Sequence, residues 1–286
     1  MVSATVATSA LLILGVSCGL LGFLMTEEHR RLNTEEPHSD WTYGEGADGH
    51  SLMDPAHWGE IYGDCYGEHQ SPINLADSHI KRIDADEYDL KFYPDMCSSS
   101  EMSFSPGEHQ WMVNMAGCKE RSKLSFDDDT YELINVHLHS VSEHSMGGSC
   151  HDAEVHMVHV KQGTDDELLV VGILMDATDF GENIELHMLW DVLVTGQETN
   201  PLEEFNLSPY EMLPASPSYS HYEGSLTTPP CTEGVKWIVM TGTTLISFEQ
   251  LTVFRKAVAD HHLVDLSGNT NRPIQALHER TVFYVN

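Results

Sequence analysis

The sequence predicts a mainly β, α+β fold: a single domain around a large, mostly antiparallel central sheet with short peripheral helices. Three observations carry that prediction. Residues 88–93, 109–115, 131–139, 154–160 and 235–240 alternate apolar and polar side chains with period 2, as half-buried strands do. Residues 168–175 (LLVVGILM) are apolar throughout, as a central strand covered on both faces would be. From Trp41 to the C-terminus the composition is uniform, with no internal repeat and no Ser/Gly/Pro tract long enough to divide it. Helices are few. Ser247 and Gln250 form a capping box that opens a helix running to about Ala259, and residues 183–194 carry a weaker helical period. The acidic run Asp127-Asp128-Asp129 reads as a solvated loop.

The front of the chain is different. Residues 2–25 carry no charged side chain, 11–24 (LLILGVSCGLLGFL) are almost wholly apolar, and Glu27, Glu28, Arg30 and Arg31 follow at once. That pattern is a secretory signal or a signal-anchor, although Lys and Arg are missing from its start. The uncharged stretch is just long enough to span a bilayer. Residues 26–40 are polar, contain Pro37 and show no apolar period, so they read as a linker. The expected organisation is therefore a leader over 1–25, a linker over 26–40 and a single folded domain over 41–286. Either reading of the leader sends the domain out of the cytosol, secreted or lumenal, with the membrane involved only if the leader is retained.

The six cysteines agree with that destination. Cys18 belongs to the leader. Cys65, Cys97, Cys118, Cys150 and Cys231 remain, an odd number that allows at most two bridges and one thiol. None shows a Cys-x-x-Cys spacing, which argues against a cysteine zinc site, and disulfides suit an oxidising compartment. The sequon Asn206-Leu207-Ser208 is compatible with secretion.

Lys and Arg total 14 against 45 Asp and Glu, a formal net charge of −31. Such a chain has no basic footprint for nucleic-acid phosphates and no cationic cluster for an anionic membrane surface. A hydrophobic fraction of 41% is enough for a core, so the acids read as a solvated shell around a folded domain rather than as a disordered tail. Such a shell suits a salty medium.

The chemistry concentrates in Asn135-Val136-His137-Leu138-His139 and Glu154-Val155-His156. Residues two apart on a strand share a face, so His137 and His139 project together about 6 to 7 Å apart. They can converge on one ion if a neighbouring strand brings a third ligand, and His156 is the obvious donor. Three neutral imidazoles and an open position make a catalytic zinc layout. Among 18 histidines a lone His-x-His arises by chance, so the flanking residues matter. Glu154 stands two before His156 and Asn135 two before His137, a carboxylate and an amide each placed to accept the second N–H of a ligand imidazole. The run Gly224-Ser225-Leu226-Thr227-Thr228-Pro229-Pro230-Cys231 makes a rigid turn with fixed hydroxyls.

Six blocks, in order over residues 41–285, carry a resemblance. They are Trp41-x-Tyr43-Gly44, Gln70 through Leu75 (QSPINL), His137-Leu138-His139 with Ser142-Glu143-His144, Glu154 through His159 (EVHMVH), Gly224 through Cys231, and Asn271 through Gln275 (NRPIQ). Together they resemble the α-class carbonic anhydrases, and the short link from His139 to Glu143 is similar to bacterial, plant and algal members. The resemblance implies reversible hydration of CO2 to bicarbonate by zinc-bound hydroxide. It implies His137, His139 and His156 as zinc ligands, with Asn135 and Glu154 orienting them. Thr227 would accept a hydrogen bond from the hydroxide and pass its own proton to Glu143. Val158, Val170, Leu226 and Trp237 match the apolar wall that holds CO2, with Thr228 beside them. His109 matches the proton shuttle, and Tyr43 the residue that orders its water. Cys65 and Cys231 match a disulfide of extracytoplasmic members, while Cys97 and Cys118, flanking the strand pair around His109, are expected to form a second, leaving Cys150 as the spare. Ser140 and Val141 depart from the family pattern at positions read as lying outside the metal chemistry, and His144 reads as structural.

Overall fold

The computed structural model describes residues 41–44, 54–75, 80–84, 88–106, 111–180, 183, 206–259 and 267–286. The chain divides by its contacts into Met1–Ser39 and Asp40–Asn286, and every described residue belongs to the second unit. The leader, the linker, His109 and all of the 183–194 segment except Asn183 lie outside the described residues. Among the described residues no helix is long and apolar enough to cross a membrane.

Twelve strands form the central sheet. In chain order they are β1 (Ile80–Ile83), β2 (Lys91–Tyr93), β3 (Ser103–Pro106), β4 (Trp111–Asn114), β5 (Lys123–Phe126) and β6 (Asp129–His139), then β7 (Ala153–Lys161), β8 (Leu168–Thr178), β9 (Tyr219–Ser225), β10 (Glu233–Met240), β11 (Thr244–Ser247) and β12 (Val282–Val285). Across the sheet the order is β1-β12-β9-β10-β8-β7-β6-β4-β3, with β11 on β8 and β5 joining β2 to β6. The joins are antiparallel except β1 with β12, β8 with β10 and β8 with β11.

β8 shows why an unbroken apolar run was required. Its alternate residues feed two different cores: Leu169, Val171, Ile173 and Met175 enter one cluster, Val170 and Leu174 the other. All six are at most 2% exposed, so neither face of the strand meets water. β7 follows the same plan, with polar residues at Glu154 and His156 on one face and at His159 on the other. Val155 and Met157 join the first cluster, while Glu154, His156 and Val158 point to the other side.

β6 does not alternate as its sequence suggests. Tyr131 and Leu133 face the first cluster, but so do Val136 and Leu138. Between Asn135 and Leu133 the pairing with β7 slips, Asn135 opposing Val158 and Leu133 opposing His159, so Ile134 is the extra residue of a β-bulge. The bulge turns Asn135, His137 and His139 to the face opposite Tyr131 and Leu133, where a strict period 2 would have put them together.

The helix α1 (Phe248–Ala259) starts on a reciprocal capping box, Gln250 N–H to Ser247 Oγ at 3.0 Å and Ser247 N–H to Gln250 Oε1 at 3.1 Å. Leu251, Phe254 and Val258 bury one stripe of it against the sheet. Asp127 and Asp128, at φ 52° and 66°, form the two-residue turn between β5 and β6, which accounts for two of the three consecutive acids. Cys65 is bonded to Cys231 and Cys97 to Cys118, and Cys150 is an exposed thiol.

His159 lies across β7 from the face that carries His156, its ring stacked on Tyr210 and its Nε2 2.9 Å from the Tyr210 hydroxyl. Burial lowers its pKa to about 3. Below about pH 6.5 the unfolded chain therefore binds a proton that the folded one refuses. The contribution of this residue is fully present above that pH and is lost progressively as pH falls towards 3, by roughly 2 kcal/mol at pH 5. In denaturant titrations at pH 7 and pH 5, the drop in stability is expected to be smaller by about that amount in His159→Phe. Equal drops in both proteins would remove this histidine from the account.

Candidate metal centre

The antiparallel register of β6 and β7 sets His156 opposite His137 and Glu154 opposite His139. The three imidazole centroids lie 4.5 to 5.2 Å apart. One nitrogen from each ring lies within 4.8 Å of the other two. The second nitrogen of each ring is committed elsewhere. His137 Nδ1 donates to Asn135 Oδ1 at 2.9 Å, His139 Nδ1 to the Thr270 carbonyl at 2.5 Å, and His156 Nε2 to Glu154 Oε1 at 2.9 Å. Those bonds choose the tautomers, and leave lone pairs on His137 Nε2, His139 Nε2 and His156 Nδ1 as the ligand atoms.

Burial also sets their charge. It lowers the pKa of His137 well below the usual range, that of His139 to about 4, and that of His156 as well. All three are neutral at pH 7, which is the form a divalent metal takes. Glu154 accepts four hydrogen bonds: His144 Nδ1 and His156 Nε2 on one oxygen, the backbone N–H groups of Glu143 and His144 on the other. Although burial opposes ionisation, these donors hold its pKa well below the carboxylate range. Gly172 leaves it room, since a Cβ there would sit 2.7 Å from Glu154 Oε1. His144 in turn meets the Tyr222 hydroxyl at 2.7 Å, and Tyr222 meets Ser71 Oγ at 2.8 Å. This histidine, read as structural, therefore belongs to the support of His156.

Glu143 is the other buried carboxylate. Its Oε1 accepts the Arg272 N–H at 2.8 Å. Among the described residues its Oε2 has no hydrogen-bond partner, and it lies 3.6 Å from His139 Nε2 and 3.9 Å from His156 Nδ1. Burial raises its pKa to about 7, with the charge of His156 and the Arg272 N–H pulling it part of the way back. Three neutral imidazoles with converging lone pairs, beside an orphaned carboxylate oxygen, fit a divalent cation with nitrogen ligands.

Above the histidines stands an apolar wall. Val158 pairs with Val170 across β7 and β8, and Val170 pairs with Trp237 across β8 and β10. Leu226, Ile134 and Leu174 join the same cluster. The Trp237 Nε1–H is taken up by the Ser225 carbonyl at 2.9 Å, so the wall presents no polar edge there. Thr227 is 6% exposed and Thr228 half-buried, on a loop closed by Leu226 N–H to the Thr232 carbonyl at 3.0 Å. The Cys65–Cys231 bridge and Gln70, donating to the Cys231 carbonyl at 3.1 Å, brace that loop. Tyr43 packs edge-on against Trp41 and Trp58, and its buried hydroxyl has no partner among the described residues. Burial, and next the charge of Glu143, push its pKa well above the usual value.

Sequence reasoning missed four contributors. Ile134 is hidden by the bulge. Arg272, 2% exposed, stands inside the recognised 271–275 block without a role read for it, yet it donates to Glu143, Gln70 and Ser71. Thr270 orients His139 through a backbone carbonyl, which no side-chain pattern reveals. Ser140 was placed outside the metal chemistry. It is instead fully buried beside His139, its N–H bonded to Thr270 Oγ1 at 3.0 Å, because the same segment that orients His139 also pairs with its neighbour.

A family model described as eukaryotic-type carbonic anhydrase matches residues 53–286. A carbonic anhydrase from Nostoc sp. is 30% identical over 242 residues, covering 80% of this chain and 81% of its own length. Alpha carbonic anhydrase 4 of Arabidopsis thaliana is 30% identical over 237 residues, with 80% and 81% covered. The structure of the α-carbonic anhydrase from Thermovibrio ammonificans, in complex with the inhibitor sulfanilamide, superposes with a TM-score of 0.67 at 29% identity, covering 86% of this chain and 99% of that one.

Proposed function

The chain belongs to the eukaryotic-type carbonic anhydrase family, and from that membership we propose that it hydrates CO2 reversibly to bicarbonate and a proton at a zinc ion held by His137, His139 and His156. The single observation that carries the reading is the set of three neutral imidazoles with converging lone pairs. When bound, zinc supplies a Lewis acid that brings the pKa of a coordinated water to about 7.

The rest falls to the protein. Asn135, Glu154 and the Thr270 carbonyl hold the imidazoles in their ligating tautomers. Thr227 accepts a hydrogen bond from the attacking hydroxide and donates its own proton to Glu143. Glu143 receives it because the backbone N–H of Arg272 already occupies its other oxygen. The direction of that relay aims the lone pair at the carbon of CO2. Val158, Val170, Leu226 and Trp237 exclude water and hold the apolar substrate, with Thr228 at their side. His109 carries the released proton to buffer, and Tyr43 orders the water on its path. Residues 41–286 act as the catalytic domain, delivered by the leader at 1–25 to an oxidising compartment. The bonded pairs Cys65–Cys231 and Cys97–Cys118 support that destination.

Stopped-flow CO2 hydration by the purified, zinc-loaded chain, with and without sulfanilamide, tests the proposal. Fast hydration that the sulfonamide suppresses is expected. A folded protein with stoichiometric zinc and no hydration would refute it. The shuttle has its own test: His109→Ala is expected to slow turnover in weak buffer by roughly 100-fold, with imidazole buffer restoring it. An unchanged rate in weak buffer removes His109 from the proton path.

A further inference from the structure

Ligand His139 is gripped by a segment from far along the chain. Thr270 makes three hydrogen bonds to the His139–Ser140 pair: its carbonyl accepts from His139 Nδ1, its hydroxyl accepts from the Ser140 N–H, and its N–H donates to the Ser140 carbonyl. His139, Ser140 and Thr270 are each at most 1% exposed, so water cannot replace any of these bonds. One polar atom of Ser140 is left, its Oγ, and it accepts from Arg255 Nε at 2.7 Å.

Arg255 stands on α1, and it meets the grip a second time. Gly268, two residues before Thr270, has φ +69°, and a Cβ on it would fall 2.2 Å from the Arg255 carbonyl oxygen. The segment leading to Thr270 therefore lies directly on the helix backbone at Arg255, where only glycine fits. Ser140 from the end of β6 and Gly268 from the 267–272 segment both touch this one residue. The helix has its own anchors, a closed capping box and a buried Leu251–Phe254–Val258 stripe, so it offers a fixed support.

We propose that Arg255 is a positioning residue for the metal ligand His139: by holding Ser140 against Thr270 it fixes the imidazole plane and the nitrogen that His139 presents. The proposal rests on the metal reading above. An ordinary family position for metal support is a residue bonded to the imidazole itself. Arg255 acts one residue further out, through a serine at a position that departs from the family pattern.

The experiment uses the full chain loaded with zinc, or with cobalt(II) as a spectroscopic substitute. Arg255→Met keeps the aliphatic stem and removes the donor. It is expected to release zinc to a chelator on the order of tenfold faster and to shift the visible bands of the cobalt form. Ser140→Ala removes the acceptor without touching the helix, and it tests the same link should Arg255→Met fail to fold. Combining the two substitutions is expected to speed release no more than the larger single effect, because both cut one connection. Val258→Ala, which loosens α1 without touching Ser140, is expected to lower the unfolding midpoint and leave the cobalt spectrum unchanged.

Wild-type release and spectra in both single variants would overturn the role of Arg255, as would single effects that multiply in the double variant. A wild-type chain that holds neither metal, or a His139→Ala chain that holds them as well as wild type, would instead overturn the metal reading beneath it.

Discussion

The His156→Ala protein is expected to come without its metal and without activity, the two losses arriving together. Structural zinc in four-ligand finger peptides binds with about 10 to 16 kcal/mol, so one ligand accounts for roughly 2.5 to 4 kcal/mol. Affinity should therefore fall by at least 10²- to 10³-fold. The loss extends beyond one bond. His156 is the only one of the three ligands oriented by Glu154, and its removal leaves that buried carboxylate facing a cavity with one donor fewer. The fold should survive, because the first core cluster lies on the other face of β7. Zinc content measured beside CO2 hydration decides the matter. Equimolar zinc with normal turnover in His156→Ala would refute the ligand assignment.

Thr227→Val is expected to act differently: full zinc content, intact fold, and a fall in kcat/KM of about 10²-fold, the usual cost of losing one preorganised hydrogen bond at a reacting atom. The substitution keeps the branched shape at a site 6% exposed and removes the hydroxyl. Glu143→Gln should cost a similar factor, since an amide presents Thr227 with a donor where it needs an acceptor. If the two act as one relay, the double variant will be scarcely slower than the worse single one. Losses that multiply would separate Thr227 from Glu143 and leave each with an independent role.

Much of this site was legible along the chain because it is written in local patterns. Asn135, His137 and His139 lie two apart on one strand, as do Glu154 and His156 on another, and period 2 projects each set to one side whatever surrounds it. The unbroken run at 168–175 likewise announces a strand with no wet face, and β8 indeed feeds both cores. The capping box at Ser247 and Gln250 marks the start of α1 for the same reason: its bonds close within four residues.

What stayed hidden depends on partners that local spacing does not encode. The bulge at Ile134 reverses the facing of half of β6, and it shows only in the pairing with β7. The three parallel joins need connections that the strand patterns leave open.

The sequence by itself picked out the three histidines that converge and the flanking carboxylate and amide that bond to two of them. Only the tertiary structure decided what holds the third. His139 is anchored by a backbone carbonyl 131 residues away, and backbone groups are the same in every residue, so composition and spacing carry no trace of them. The neutrality of the imidazoles and the raised pKa of Glu143 were likewise set by burial, a property of the folded sheet and not of the residues taken singly.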